Sequence, residues 1–388
     1  MGRFFTPEFF ADPYPTYDEV RVEPVHWEED LGGWVLTGYA EVAAALADPR
    51  VSRGRGPQEG DLLKRLLSRM MLFTDPPAHT RLRALANRAF TPRRIEALRP
   101  RIKAIVDALL TPVDDGTWDL IEGVAYPLPV MVIAEILSLP RSDRELFKRW
   151  SDDVIAVAAG FGDDPERRRR GLRSAHELAE YFAGLTAELR ACPNDTLMSA
   201  LVQAEAEGTR LTEEELLANT ILLLMNGHET TTFAIGNGML ALLQHPDQLA
   251  RLRGDPRLLA GAVEEILRYD GSVQMRGVAA ADDLEFDGTA IRAGRTLWLA
   301  IGATGRDPRQ FAAPNRFDIA RSPIRHLQFG LGPHFCISAA LARMEIQLAL
   351  SGLLACFRQI ELAADEIEWH QIAVFRGPKA LPLSLTHL

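Results

Sequence analysis

The chain has 388 residues, 47% hydrophobic and 25% charged, the balance of a globular protein with a large core. Its 43 Lys and Arg against 53 Asp and Glu leave a formal charge of −10, which argues against a general nucleic-acid binder because neutralising phosphates takes clustered cations. Cys192, Cys336 and Cys356 are too scattered for a disulfide framework or a zinc site, and point to a reducing, cytoplasmic setting.

The first residues lack the apolar core of a signal peptide, and no run approaches the ~20 apolar residues of a membrane span. The longest, residues 221–225, ends at Asn226. Residues 24–37 carry Val25, Trp27, Trp34, Val35 and Leu36 around Gly32-Gly33, which predicts a hairpin. A helix follows over 39–47, stopped by Asp48-Pro49. From residue 79 to 267 the period is helical. Strand character returns over 278–299 and 367–385. No linker or repeat divides the chain, so the expectation is one domain over 1–388: a large helical body with small β pieces from both ends.

One helix is long. Thr212 followed by Glu215 is a capping-box signature, the apolar period runs from 216 to 243, and His245-Pro246 ends it. About 30 residues at 1.5 Å each span roughly 45 Å. Its middle, Asn226-Gly227-His228-Glu229-Thr230-Thr231-Thr232, is poor helix material, because Gly and β-branched Thr both disfavour the helix. Thr hydroxyls can bond one turn back and bend the axis. A kinked, polar centre in a buried helix is where function is expected.

A second segment reads Phe329-Gly330-Leu331-Gly332-Pro333-His334-Phe335-Cys336, followed by a helix from Ser338. Two glycines permit a tight loop that can approach a flat ligand closely. Helix N-terminal amides favour thiolate over thiol. On spacing alone, a thiolate metal ligand and a buried free cysteine beside a glycine turn stand equally.

This segment resembles the haem-binding loop of the cytochrome P450 family, F-G-x-G-x-H-x-C. Three further segments are similar to that family in the same order: His79-Thr-Arg-Leu-Arg83 after Asp75-Pro-Pro, Glu265-Ile-Leu-Arg268, and Asn315-Arg316-Phe317-Asp318. Together they span nearly the whole chain. The resemblance implies a mainly α cytochrome P450 fold and a soluble, bacterial-type haem-thiolate monooxygenase. Haem b would be ligated by Cys336, with Phe329 and Gly330 against it.

His79, Arg83 and His334 would donate charge-assisted hydrogen bonds to the haem propionates. The family's further propionate Arg is expected nearer Val278; Arg276 is the candidate here. Glu265, Arg268 and Arg316 would form a structural triad supporting the cysteine loop. Glu229 and Thr230 fill the acid–alcohol positions that relay protons during oxygen activation, whereas His228 points about 100° away and reads as structural.

The position of the propionate Arg is one departure from the family, and two more stand out. Asn226 replaces the usual Ala or Gly, and Ser338 replaces the glycine two residues past the cysteine, where a polar contact near the sulfur would shift the redox potential. Met70, Met71, Met225, Asn226, Val273 and Met275 are the candidate pocket residues, and so many methionines suit a mid-sized hydrophobic substrate. Without a fused reductase, electrons from NAD(P)H would come through an external ferredoxin or flavodoxin-type donor. It would dock on the Arg cluster after His79 with Arg325 and Arg343. The expected state is a cytoplasmic monomer. A peroxide-driven peroxygenase and a non-catalytic haem-based sensor are the alternatives, and the Glu229–Thr230 pair argues against both.

Overall fold

The computed structural model describes residues 2–54, 58–137, 139–140, 143–158, 164–206 and 209–388. Two compact units result, one made of residues 1–51, 101–128 and 230–388, the other of 52–100 and 129–229.

In the first unit, Val25–Glu28 and Gly33–Leu36 form the expected antiparallel hairpin, with Val25 opposite Leu36. Thr296–Leu299 joins Gly33–Leu36 in parallel, and Arg276–Ala280 pairs antiparallel on its other side. Successive side chains in a strand face opposite ways, and both faces of this sheet are covered. Leu36, Leu297 and Leu299 face one apolar cluster with Val42, Leu46, Val278 and Leu327. Val35 and Trp298 face another, built from Phe4, Phe9, Tyr14 and Tyr17.

The second sheet of this unit pairs Phe357–Leu362 with Pro382–His387, and the latter with Gly116–Asp119. Gly116–Asp119 falls inside the stretch whose period reads as helical. It is a strand because its backbone bonds are completed by a segment more than 260 residues away, which local patterning does not register. The C-terminal β region is also shorter than the expected 367–385: within it only Pro382–His387 forms a named strand, preceded by the isolated bridge Trp369–Pro378.

The second unit is mainly helical, and includes Leu62–Arg69, Ala78–Ala89, Arg144–Ala158 and Pro165–Ala191, with a short antiparallel pair, Glu205–Ala206 and Thr209–Arg210. Phe147 and Trp150 meet Tyr181 edge-on across the last two, with ring centroids 4.8 and 6.0 Å apart. Such geometry sets the positive ring edge against the negative ring face.

The long helix, Glu213–Gln244, opens on the capping box: Thr212 N donates to Glu215 Oε2 at 2.9 Å, and Glu215 N donates to Thr212 Oγ1 at 3.2 Å. It stops where Pro246 starts the next helix, Pro246–Gly254. Helix Ala339–Cys356 follows the cysteine loop. By length and composition it could cross a membrane, with a mean hydropathy of 1.3, although no such run was evident from the sequence. Its buried side, from Leu341 through Ile346 to Leu353, and the charged Arg343 and Glu345 mark it as a core helix.

Candidate functional site

The cysteine loop is shaped by Gly330 and Gly332, both at φ +71°, the left-handed region where a Cβ is strained. A side chain at Gly332 would also meet the Leu46 carbonyl oxygen at 3.0 Å. Cys336 N donates to Phe329 O at 2.8 Å, closing the loop, and helix Ala339–Cys356 begins three residues later. The Cys336 side chain is half-buried, while Leu331 and Phe335 beside it are each 41% exposed. An accessible thiol framed by uncovered apolar side chains suits a flat apolar ligand coordinated through sulfur. No cluster of three or more metal-ligating side chains occurs among the described residues. Phe329 is held from behind, with the Arg343 guanidinium 4.3 Å from its ring centre.

The polar middle of the long helix remains helical throughout. Gly227 has a steric reason, since a Cβ there would lie 2.3 Å from Ile133 Cδ1. His228 is buried and its Nδ1 bonds the Leu224 carbonyl at 3.0 Å, in keeping with a structural part. Asn226 is exposed between buried Met225 and half-buried Gly227. Glu229 and Thr230 are both half-buried. Burial, and then the nearby Asp152 carboxylate, push the Glu229 carboxyl up to about 7. It can therefore hold or release a proton at neutral pH. Three residues past Glu229, the Thr232 hydroxyl is buried with no hydrogen-bond partner among the described residues.

Glu265 and Arg268 form a fully buried bidentate pair. The expected third member, Arg316, does not complete it with its side chain. That side chain is exposed and lies 3.8 Å from Asp318, and only the Arg316 carbonyl receives a bond from Arg268, at 3.0 Å. Arg321 takes the place instead, with Nε 3.2 Å from Glu265 Oε2. Glu265 also accepts from Asp318 N at 2.9 Å, so the ion pair clamps the backbone that follows Arg316.

His79 lies buried on helix Ala78–Ala89, with Arg83 one turn on. Burial, with the positive Arg83 and Arg53, holds the His79 imidazole below its ordinary value against the pull of Asp75. Arg53 was not picked out from the sequence, and Asp75 was named only as the start of the Asp-Pro-Pro that precedes His79. Asp75 accepts from Arg53 N at 2.9 Å, and burial lowers the Arg53 guanidinium to about 10.

In the other unit, Arg276 opens the strand Arg276–Ala280 opposite Leu299, half-buried, and His334 ends the turn Gly332–His334. Arg343, expected on a positive docking face, is neutralised by Glu264 at 2.6 and 2.9 Å. Burial raises the Glu264 carboxyl, but Arg343 and His326 outweigh it and hold it at about 2.

Of the candidate pocket residues, Met70, Met71 and Met225 are buried in the second unit, where Met71 N donates to Asn219 Oδ1 at 2.9 Å. Val273 is partly buried, and its N donates to Gln328 Oε1 at 2.9 Å. Met275 lies in the first unit, where it is 2% exposed and packs in the aromatic cluster of Phe4, Phe9, Tyr14 and Tyr17.

A mainly α protein presenting one cysteine on a glycine loop ahead of a core helix is the class these features define. The family model for cytochrome P450 matches residues 163–372. The chain is 44% identical to cytochrome P450 monooxygenase PikC of Streptomyces venezuelae, over 97% of this chain and 92% of that one. It is 38% identical to 6-deoxyerythronolide B hydroxylase of Saccharopolyspora erythraea, over 97% of each. The solved structure of the bacillaene polyketide synthase cytochrome P450 PksS of Bacillus subtilis 168 superposes with a TM-score of 0.92, at 37% identity over the whole of both chains. The chain belongs to the cytochrome P450 family. It is a monooxygenase, and its family implies a haem cofactor.

Proposed function

We propose that this monooxygenase inserts oxygen into a mid-sized hydrophobic small molecule of secondary metabolism, by hydroxylation or epoxidation. A polyketide is the first class to test. The observation that carries the proposal is the half-buried Cys336 thiol on its two left-handed glycines beside exposed Leu331 and Phe335. The name of 6-deoxyerythronolide B hydroxylase and the polyketide synthase setting of PksS support the substrate class.

In this reading Cys336 ligates haem b, Phe329 and Gly330 lie against it, and His79, Arg83, Arg276 and His334 hold its carboxylates. When bound, haem supplies the redox chemistry by which one atom of dioxygen enters a C–H or C=C bond and the other leaves as water, using two electrons and two protons. Glu229 delivers protons, since its carboxyl sits near 7 and recharges at neutral pH. The Thr230 hydroxyl, next along the same helix, passes them on. Met70, Met71, Met225, Asn226 and Val273 shape the substrate site.

Electrons come from NAD(P)H through an external ferredoxin or flavodoxin-type donor. Arg88, Arg93 and Arg94 are exposed and carry no ion pair among the described residues, which supports an acidic partner on that face. The protein works as a cytoplasmic monomer.

The test is turnover of the haem-loaded protein with a ferredoxin, its reductase, NADPH and a panel of macrolactones. One product oxygen per NADPH supports the proposal. Equal rates with hydrogen peroxide alone would make the protein a peroxygenase. Ligand binding without NADPH consumption would make it a sensor.

A further inference from the structure

Ser338 stands where the cysteine loop hands over to helix Ala339–Cys356, at the N-cap position. A serine there ordinarily turns its oxygen back on an amide of the first helical turn, from an extended backbone conformation. This one does not. Its backbone is at φ −96°, ψ 14°, outside the extended region, and its hydroxyl makes no capping bond. The hydroxyl lies instead 3.5 Å from Cys336 Sγ, a hydrogen-bond length for the larger sulfur atom. Sγ is its one partner among the described residues. The other polar groups close by are committed elsewhere: Cys336 N to the Phe329 carbonyl at 2.8 Å, and the Ser338 carbonyl to Ala342 N at 2.9 Å.

With a protonated thiol either atom can donate. A thiolate carries no proton, so the hydroxyl is then the donor. We propose that Ser338 donates a hydrogen bond to the Cys336 thiolate and thereby tunes how much negative charge the sulfur presents to a bound iron. The inference rests on the reading of Cys336 as the haem ligand. It makes Ser338 a positioning residue that acts through the cysteine. A donor on the sulfur withdraws electron density from it, weakens the iron–sulfur bond and raises the reduction potential, because hydrogen bonds to the ligand are among the levers a protein holds over haem iron. A glycine at 338 offers no such donor. This chain would then be easier to reduce than the same protein with glycine there, and less strongly electron-donating towards oxygen.

The experiment compares wild type with Ser338→Gly, Ser338→Ala and Ser338→Thr, all loaded with haem. Since the serine makes no capping bond, the variants should keep the wild-type melting temperature. Three quantities are read: the Soret position of the reduced carbon monoxide complex, the ferric–ferrous potential, and the iron–sulfur stretching frequency by resonance Raman in H2O and D2O. The Gly and Ala variants should have a more negative potential and a higher stretching frequency, and should lose the shift on deuteration. Ser338→Thr, which restores a hydroxyl, should stay near wild type. Unchanged potential and stretching frequency in Gly and Ala, with a thiolate-type Soret band throughout, would overturn the proposal and leave the ligand assignment standing. A wild-type protein without that Soret band would overturn both.

Discussion

Arg268 faces Glu265 through two hydrogen bonds of 2.6 and 2.7 Å with neither side chain reaching solvent. The remaining donors of Arg268 go to the carbonyls of Gly305, Pro314 and Arg316, so one buried cation ties together two loop segments. Removing the fully buried partner of Glu265 should cost about 3–5 kcal/mol. Arg268→Ala is therefore expected to destabilise the protein by that amount in urea unfolding, or to prevent folding. Arg321→Ala removes a partly buried partner of Glu265 and should cost about 1–3 kcal/mol. Arg316→Ala removes an exposed side chain and should stay within about 0.5 kcal/mol of wild type. The reverse ranking of Arg316 and Arg321 would restore the sequence-based triad.

The Glu229 carboxyl sits near 7 because it is buried beside Asp152. Its unfolded value is about 4.3, so the folded state holds the proton more tightly. The stability this contributes is complete below about pH 4 and is lost as pH rises through 7, on the order of 3 kcal/mol in all. Glu229→Gln should remove that slope, which melting temperatures from pH 5 to 8 would reveal. Its turnover should fall about 100-fold or more, with NADPH consumption uncoupled from product. In wild type, coupling should decline above pH 7 as the acid empties. A variant with wild-type coupling and pH profile would remove Glu229 from the relay.

Arg83 lies one turn on from His79, and it and Arg53 are cations that hold the imidazole towards its neutral form, a repulsion that a bound anion would offset. A charge-assisted hydrogen bond is worth about 1.5–3 kcal/mol. His79→Ala and Arg83→Ala should each speed haem loss roughly 10- to 100-fold, measured by transfer to a competing apo-protein. Unchanged transfer rates in both would remove them as propionate ligands.

Much of this was legible because it is local. The capping box, the stop at His245-Pro246 and the glycine-flanked cysteine each depend on residues a few positions apart. The further charge partner of Glu265 was not, because Arg316 and Arg321 are close in sequence and no local pattern says which way the loop turns each side chain. The surroundings of Met275 were hidden for the same reason. The aromatic side chains it packs against begin at Phe4, some 270 positions away, and no local pattern reveals them. Nor does any local signal give the strand Gly116–Asp119, whose partner is the C-terminus.

Met275→Ala separates these readings. As a core residue it should cost about 2–5 kcal/mol of stability and leave substrate affinity unchanged. A change of affinity with little loss of stability would return it to the pocket.

The most direct test of the whole account is the difference spectrum of the dithionite-reduced protein on adding carbon monoxide, alongside Cys336→His. Wild type should give the strongly red-shifted Soret band of a thiolate-ligated haem, and the variant a band at the shorter wavelength of imidazole ligation. A wild-type protein that binds no haem after haem-supplemented expression, or that shows the same band as Cys336→His, would contradict the assignment of Cys336 as the iron ligand.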